Sequence, residues 1–219
     1  MADNSKNVFE FRGVEDLYYA RVEEDSEGNY KVGNPKRLSY TATIAKEVES
    51  SSETHYYDNK GMIAITAKGA ETFTLTVAPP PLAVLAEITG QAFDATKGML
   101  IEGNITPRQF AILYKTKGTD GFWRYVVKYK GVFAIPSEEV NTESDSIDTT
   151  NTELTFTAVN TVHKFEITDS IAAIDGTSQN KTESISGIVV DERYGRAANL
   201  ADWTTKVMTP SDIEAVTSA

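Results

Sequence analysis

The 219-residue sequence contains no cysteine. That excludes a disulfide scaffold, thiolate nucleophiles and thiolate metal sites, and it fits a chain made in a reducing cytosol whose assembly rests on packing and strand pairing. Histidine is nearly as scarce, with only His55 and His163. Neither stands in a pattern for a Ser-His-Asp arrangement, so structural or surface roles are expected for both. The glycines fall singly at turns, without the clustered spacing that cradles phosphate, which argues against nucleotide hydrolysis. No run approaches the roughly 18 apolar residues of a membrane span, and residues 1–13 carry charges where a secretory leader needs an apolar stretch. A soluble product is expected, one that would leave the cell only by another route such as host lysis. Basic residues are also in deficit: 21 Lys and Arg against 32 Asp and Glu give a net charge of −11. Attraction to phosphate is therefore not a general property of the surface.

What the sequence does contain is period-two alternation, the signature of strands with one face in a core. Phe73, Leu75 and Val77 alternate with Thr72, Thr74 and Thr76, and Phe110, Ile112 and Tyr114 share one face. Trp123, Tyr125, Val127 and Tyr129 share a face opposite Arg124, Lys128 and Lys130, and the basic side is expected to be solvated edge protection. The aromatics of this strand have the makings of a stacking platform for sugar or single-stranded nucleic acid, but a β core needs them in the same places. Leu154, Phe156 and Ala158 mark a further strand, with shorter ones expected around 164–168 and 184–190. One helix is expected over 81–89, opened by Pro81 and stopped by Gly90. An irregular helix around Leu200 and Trp203 is the expected end of the chain. These elements suit a mainly β fold, an antiparallel β-sandwich or partly closed barrel with one flanking α-helix.

Two polar stretches interrupt the pattern. Residues 46–60 read as a long loop between two strands, carrying Glu47, Glu49, Glu53, His55, Tyr56, Tyr57 and Asp58. A connection of that length inside a compact domain is usually functional or disordered. Residues 137–150 hold Glu138, Glu139, Glu143, Asp145 and Asp148 without one basic residue. They lack the spacing of a calcium loop and read as a solvated acidic loop. The expected organisation is an N-terminal arm (1–12), a β-domain (13–160), and an extension (161–219) packed on the core or on a neighbouring subunit.

The order of these features carries a resemblance. The stretch 13–20, residues 33–38 after a hairpin, the Tyr56–Gly61 segment, the helix ending at Gly90, the strands 110–115 and 123–130, the acidic loop and the strand 151–158 together resemble the major tail proteins of long-tailed, siphovirus-type bacteriophages. The likeness covers about residues 13–158, and the ending from Asp202-Trp203 to Pro210 is similar too, whereas 162–197 is longer than in compact members. The resemblance implies a non-enzymatic structural virion protein without cofactor or metal, assembled in the host bacterial cytoplasm. It implies six-membered rings stacked into a tail tube that delivers the genome, with sheets of neighbouring subunits joined into an inner barrel. The partners it implies are other copies of the chain, tail terminator, tape-measure and tail-tip proteins, and double-stranded DNA in non-adhesive passage; no membrane is involved. On this basis residues 47–58 become an inter-ring contact loop, the acids of 138–148 candidates for a lumen or loop, and Phe9, Phe11 and Trp203 terminal-arm contacts. The alternatives are a carbohydrate- or receptor-binding β-sandwich of a phage tail, and the inner-tube protein of a contractile tail or secretion system.

Overall fold

The computed structural model describes residues 8–138, 150–170, 178–194 and 200–213. In chain order the elements are β1 (Phe11–Asp25), β2 (Tyr30–Val32), β3 (Lys36–Arg37), β4 (Thr41–Tyr57), β5 (Lys60–Val77), α1 (Leu82–Thr89), β6 (Ala92–Asp94), β7 (Met99–Ile101), β8 (Phe110–Gly118), β9 (Trp123–Phe133), β10 (Thr152–Ala158), β11 (Phe165–Asp169), β12 (Gln179–Glu183) and β13 (Gly187–Asp191). Short 3-10 turns follow at Leu200–Asp202 and Pro210–Asp212.

Nine strands form one antiparallel sheet in the order β2-β1-β8-β9-β10-β5-β4, with β3 added at β1 and β13 at β9. The sheet curls into a half-barrel, as the alternating strands of the sequence lead one to expect. Inside the curl, every second side chain of each strand joins one core: Leu17 and Tyr19, Phe73 and Leu75, Phe110 and Ile112, Leu154 and Phe156 are all buried. The helix α1 packs Val84, Leu85 and Ile88 onto this core. Pro81 stands at its N-cap and Gly90, at φ 76°, ends it. A Cβ on Gly90 would lie 2.1 Å from the Thr106 carbonyl oxygen. Gly90→Ala therefore meets both a left-handed backbone and a clash, and a loss of about 1–3 kcal/mol is expected, read as a melting point several degrees lower.

The other face of β1, β8 and β9 has a second core. Ala20, Ala111, Leu113, Val127 and Tyr129 are covered by Phe165, Leu200, Trp203, Val207 and Met208. This explains the unbroken apolar run Phe110-Ala-Ile-Leu-Tyr114: β8 is buried on both sides, so its first five residues have no solvent face. Tyr125 and Tyr129 belong here as core residues, Tyr125 edge-on to Trp203 at 5.1 Å and Tyr129 donating its hydroxyl to the Met208 carbonyl at 2.9 Å. The C-terminal segment thus packs on its own core. Asp25 staples it in place: its carboxylate accepts the backbone N–H groups of Val162 and His163 and pairs with Lys130 at 2.7 Å.

Two expectations are corrected. Residues 46–60 are not a loop, since β4 and β5 pair through them as one long hairpin. The polar run Ser50-Ser51-Ser52-Glu53-Thr54 has no apolar alternation because neither face of that part is buried. The basic side of β9 is not solvated either. Lys128 is 4% exposed and ion-paired with Glu71, Lys130 is paired with Asp25, and Arg124 holds Asp191 at 2.8 Å.

Candidate functional site

The β4–β5 hairpin has two parts. Its root, residues 41–48 against 71–77, is flanked on the β5 side by β10. Beyond a bulge at Gly69 and Ala70, residues 50–57 pair only with 60–68. This free-standing arm closes in a two-residue turn where Asp58 and Asn59 both have positive φ, 49° and 58°. That is the primed turn whose twist matches paired strands. At about 3.3 Å per residue, its eight residues 50–57 reach about 26 Å from the body.

A lone two-stranded ribbon is marginally stable in water and normally carries a polar surface. This one exposes Tyr56 (70%), Met62 (67%), Tyr57, Ile63 and Ile65. Ile63 and Ile65 lie opposite His55 and Glu53 on one face of the ribbon. The outer edge of β4 has no strand partner among the described residues, leaving its main-chain groups free to pair with another chain.

The arm is pinned at its root by a buried carboxylate. Glu71 is 1% exposed. It lies 2.6 Å from Lys128 Nζ and 2.9 Å from Lys46 Nζ, is also paired with Lys68, and accepts the Ser186 hydroxyl at 2.8 Å. Burial acts to raise its pKa, but these four donors outweigh burial and hold it well below the ordinary carboxylate range. The Lys128 ammonium is shifted down, first by burial and, against the pull of Glu71, by the like charges of Lys46 and Lys68. Lys46 comes from β4, Lys68 from the arm, Lys128 from β9 and Ser186 from the approach to β13, so one carboxylate ties the arm to three parts of the body.

Outside the core, the face of β4, β5 and β10 forms a grid in register. Its rows are Thr43, Thr76 and Glu153; Ala45, Thr74 and Thr155; and Glu47, Thr72 and Thr157. Strand alternation carries the same side of β4 onward through Glu49, Ser51, Glu53 and His55. Six of the nine grid positions are threonine, two are acidic and none is basic.

The structure gathers Glu47, Glu49, Glu53 and His55 on one strand face, with His55 Nε2 4.0 Å from Glu53, and sets Tyr56, Tyr57 and Asp58 at the tip. Phe9 and Phe11 lie on the chain itself. The Arg193 guanidinium stacks 3.4 Å from the Phe9 ring centroid and Arg124 4.6 Å from that of Phe11, while Arg193 also grips Asp120 and Asp191. Trp203, expected as a terminal-arm contact, is 2% exposed in the second core, where it has no surface to offer a neighbour. Glu138 is exposed; Glu139, Glu143, Asp145 and Asp148 lie outside the described residues. Sequence reading missed the Glu71 cluster, whose members are spread from residue 46 to residue 186. The threonines of β5 were visible as an alternating set, but not their alignment with those of β10. No group of three or more potential metal ligands occurs among the described residues, and no helix there is long and apolar enough to cross a membrane.

Comparison with known proteins gives one result of weight. The family model described as phage tail tube protein matches residues 24–186, most of the chain and all of the arm, its root and the threonine grid. A search of curated proteins finds no match.

Proposed function

The chain belongs to the phage tail tube protein family, and from that premise we propose that it assembles into six-membered rings that stack into the tube through which double-stranded DNA leaves a long-tailed virion. The tail-tube role follows from the family; the rings, their stacking and the conduit are the proposal. The observation that carries it is the arm, a ribbon of about 26 Å by the spacing of its residues, with five exposed apolar side chains that no described residue covers. Exposed apolar surface of this kind marks an interaction site. A contact in which an arm of one copy meets a different surface of the next is heterologous, so it propagates instead of closing after two copies. The outer edge of β4, unpaired among the described residues, offers a second contact, sheet to sheet, within a ring.

Terminator, tape-measure and tail-tip proteins would meet the ends of such a tube, and assembly would take place in the host cytoplasm. Negative-stain electron microscopy of the purified protein is expected to show rings or tubes with a central hole. Persistent monomers at high concentration, in the presence of tail-tip complex as initiator, would count against the proposal.

A further inference from the structure

The seam of the half-barrel, between β1 and β4, is shut along one part and open along another. It is shut just ahead of β4, where the Leu38 N–H donates to the Leu17 carbonyl at 3.0 Å. Farther along the two strands part, and residues 11–14 of β1 and 42–44 of β4 border one cavity of about 570 Å³ that also takes in β8 and β9. Among the described residues each of these stretches has a strand partner on one side only, β8 for β1 and β5 for β4. Two unpaired edges thus flank one cleft, a geometry that accepts an added strand. Resting on the tube reading, we infer that this cleft receives an acidic extended segment of another copy of the chain, residues 138–149.

The walls of the cleft are selective for charge. Phe11, Val14, Ile44 and Val126 make them apolar, while Arg12, Lys46, Arg124 and Lys128 bring four cations. Two carboxylates answer these, Glu71 for Lys46 and Lys128, and Asp191 for Arg124. Two positive charges are left over in a chain whose net charge is −11. In the same wall the Thr116 hydroxyl is buried with no hydrogen-bond partner among the described residues, an arrangement that is costly while the cleft is empty. Apolar walls, surplus cations and an unused hydroxyl together suit a carboxylate carried on a narrow chain.

Residues 138–149 hold five acids and no base. In an extended backbone Glu143, Asp145 and Ile147 fall on one side, which sets two carboxylates against the surplus charge and one apolar side chain against the wall. The segment leaves the body beyond Phe133 and returns at Thr152, which pairs with Val77 at the α1 end of β5. At about 3.3 Å per residue, the Arg124 end of β9 lies about 30 Å from its Phe133 end. A segment tethered at both 138 and 150 can stand off from its anchors by about 20 Å at most. Arg12 and Arg124 of its own copy are therefore out of reach, and those of a neighbour are the ones it can meet. The contact uses only the 42–46 stretch of the β4 edge and leaves the rest of that edge open.

A fluorescein-labelled peptide of residues 138–149, titrated with unassembled protein and followed by anisotropy, should bind saturably. Its affinity should fall roughly tenfold at high salt, and by a similar factor with Arg12→Glu in the protein or with Glu143→Gln and Asp145→Asn in the peptide. No binding, or equal binding of a peptide with the same residues in scrambled order, would overturn the inference. The absence of cysteine allows the copies to be told apart. Tubes of the Ala42→Cys, Ser144→Cys variant, treated with a short bismaleimide, should give covalent dimers and higher multimers on a denaturing gel, and neither single variant should. Thiols that stay unlinked, or that link within one chain, would overturn the inference while leaving the tubes intact. If the wild-type chain formed no tubes, the tube reading would fail, and the peptide titration would still decide whether the cleft takes this segment.

Discussion

Excising residues 50–68 and joining Glu49 to Gly69 through an Asn-Gly turn is expected to give a folded protein that forms no tubes. The junction is short because a Cβ placed on Gly69 would sit 3.0 Å from that of Glu49. Both strands of the arm must go together. Deleting only residues 47–54, the natural choice had the segment been a loop, would strip the partner from half of β5 and disturb the root. The arm is exposed along most of its length, so its loss removes little buried area and should leave the circular dichroism spectrum β-rich, with a melting point within a few degrees of wild type. The double variant Ile63→Asp, Ile65→Asp keeps the arm but replaces its apolar face, and it should block assembly to the same degree. Normal tubes from either variant would show that the arm does not couple rings.

The second large effect is expected at Glu71. Replacing it by glutamine leaves three lysines around a site without negative charge, one of them almost fully buried. Breaking a buried ion pair by removing one partner costs about 3–5 kcal/mol, which for a chain of this size lowers the melting point by roughly 6–20 °C. The double change Glu71→Gln, Lys128→Met should recover a good part of this, because the uncompensated buried charge goes too. The pH dependence has a definite sign. Donors hold the folded-state pKa of Glu71 below its ordinary value of 4.5, so its contribution is present above that value and is lost as the pH falls below it. Wild-type stability should fall in acid more steeply than that of the glutamine variant, whose curve lacks this component. Parallel curves in urea titrations between pH 3 and pH 7 would deny Glu71 this role.

How much of this was legible in the sequence depended on the range over which the signal acts. The helix was readable because Pro81 and Gly90 lie at its ends, and the body strands because their alternation is local. The hairpin arm was not, since Ser50 to Thr54 lack the apolar residues that mark a half-buried strand; the Asp58-Asn59 turn was the one local clue that two strands meet there. Lys128 was misread as a solvated edge residue because its partner is 57 positions away and no pattern around residue 128 mentions it. Trp203, Val207 and Met208 follow no period because they pack as a covering segment, so the second core was hidden until β8 showed two buried faces. The acids of β4 were found as a set, but only the register of β5 and β10 shows that they border a field of threonine.

The Glu71 cluster also has a history within each molecule's synthesis. Glu71, Lys46 and Lys68 leave the ribosome early, Lys128 follows, and the Ser186 that completes the site comes 58 residues after Lys128. At about 5–20 residues per second, that interval is roughly 3–12 s. During it β9 lacks β13 along half of one edge, and the hairpin that carries the arm has only part of its anchorage. The anchorage at the root of the arm is therefore complete only when nearly the whole chain has been made, with the Ser186 hydroxyl as its last donor.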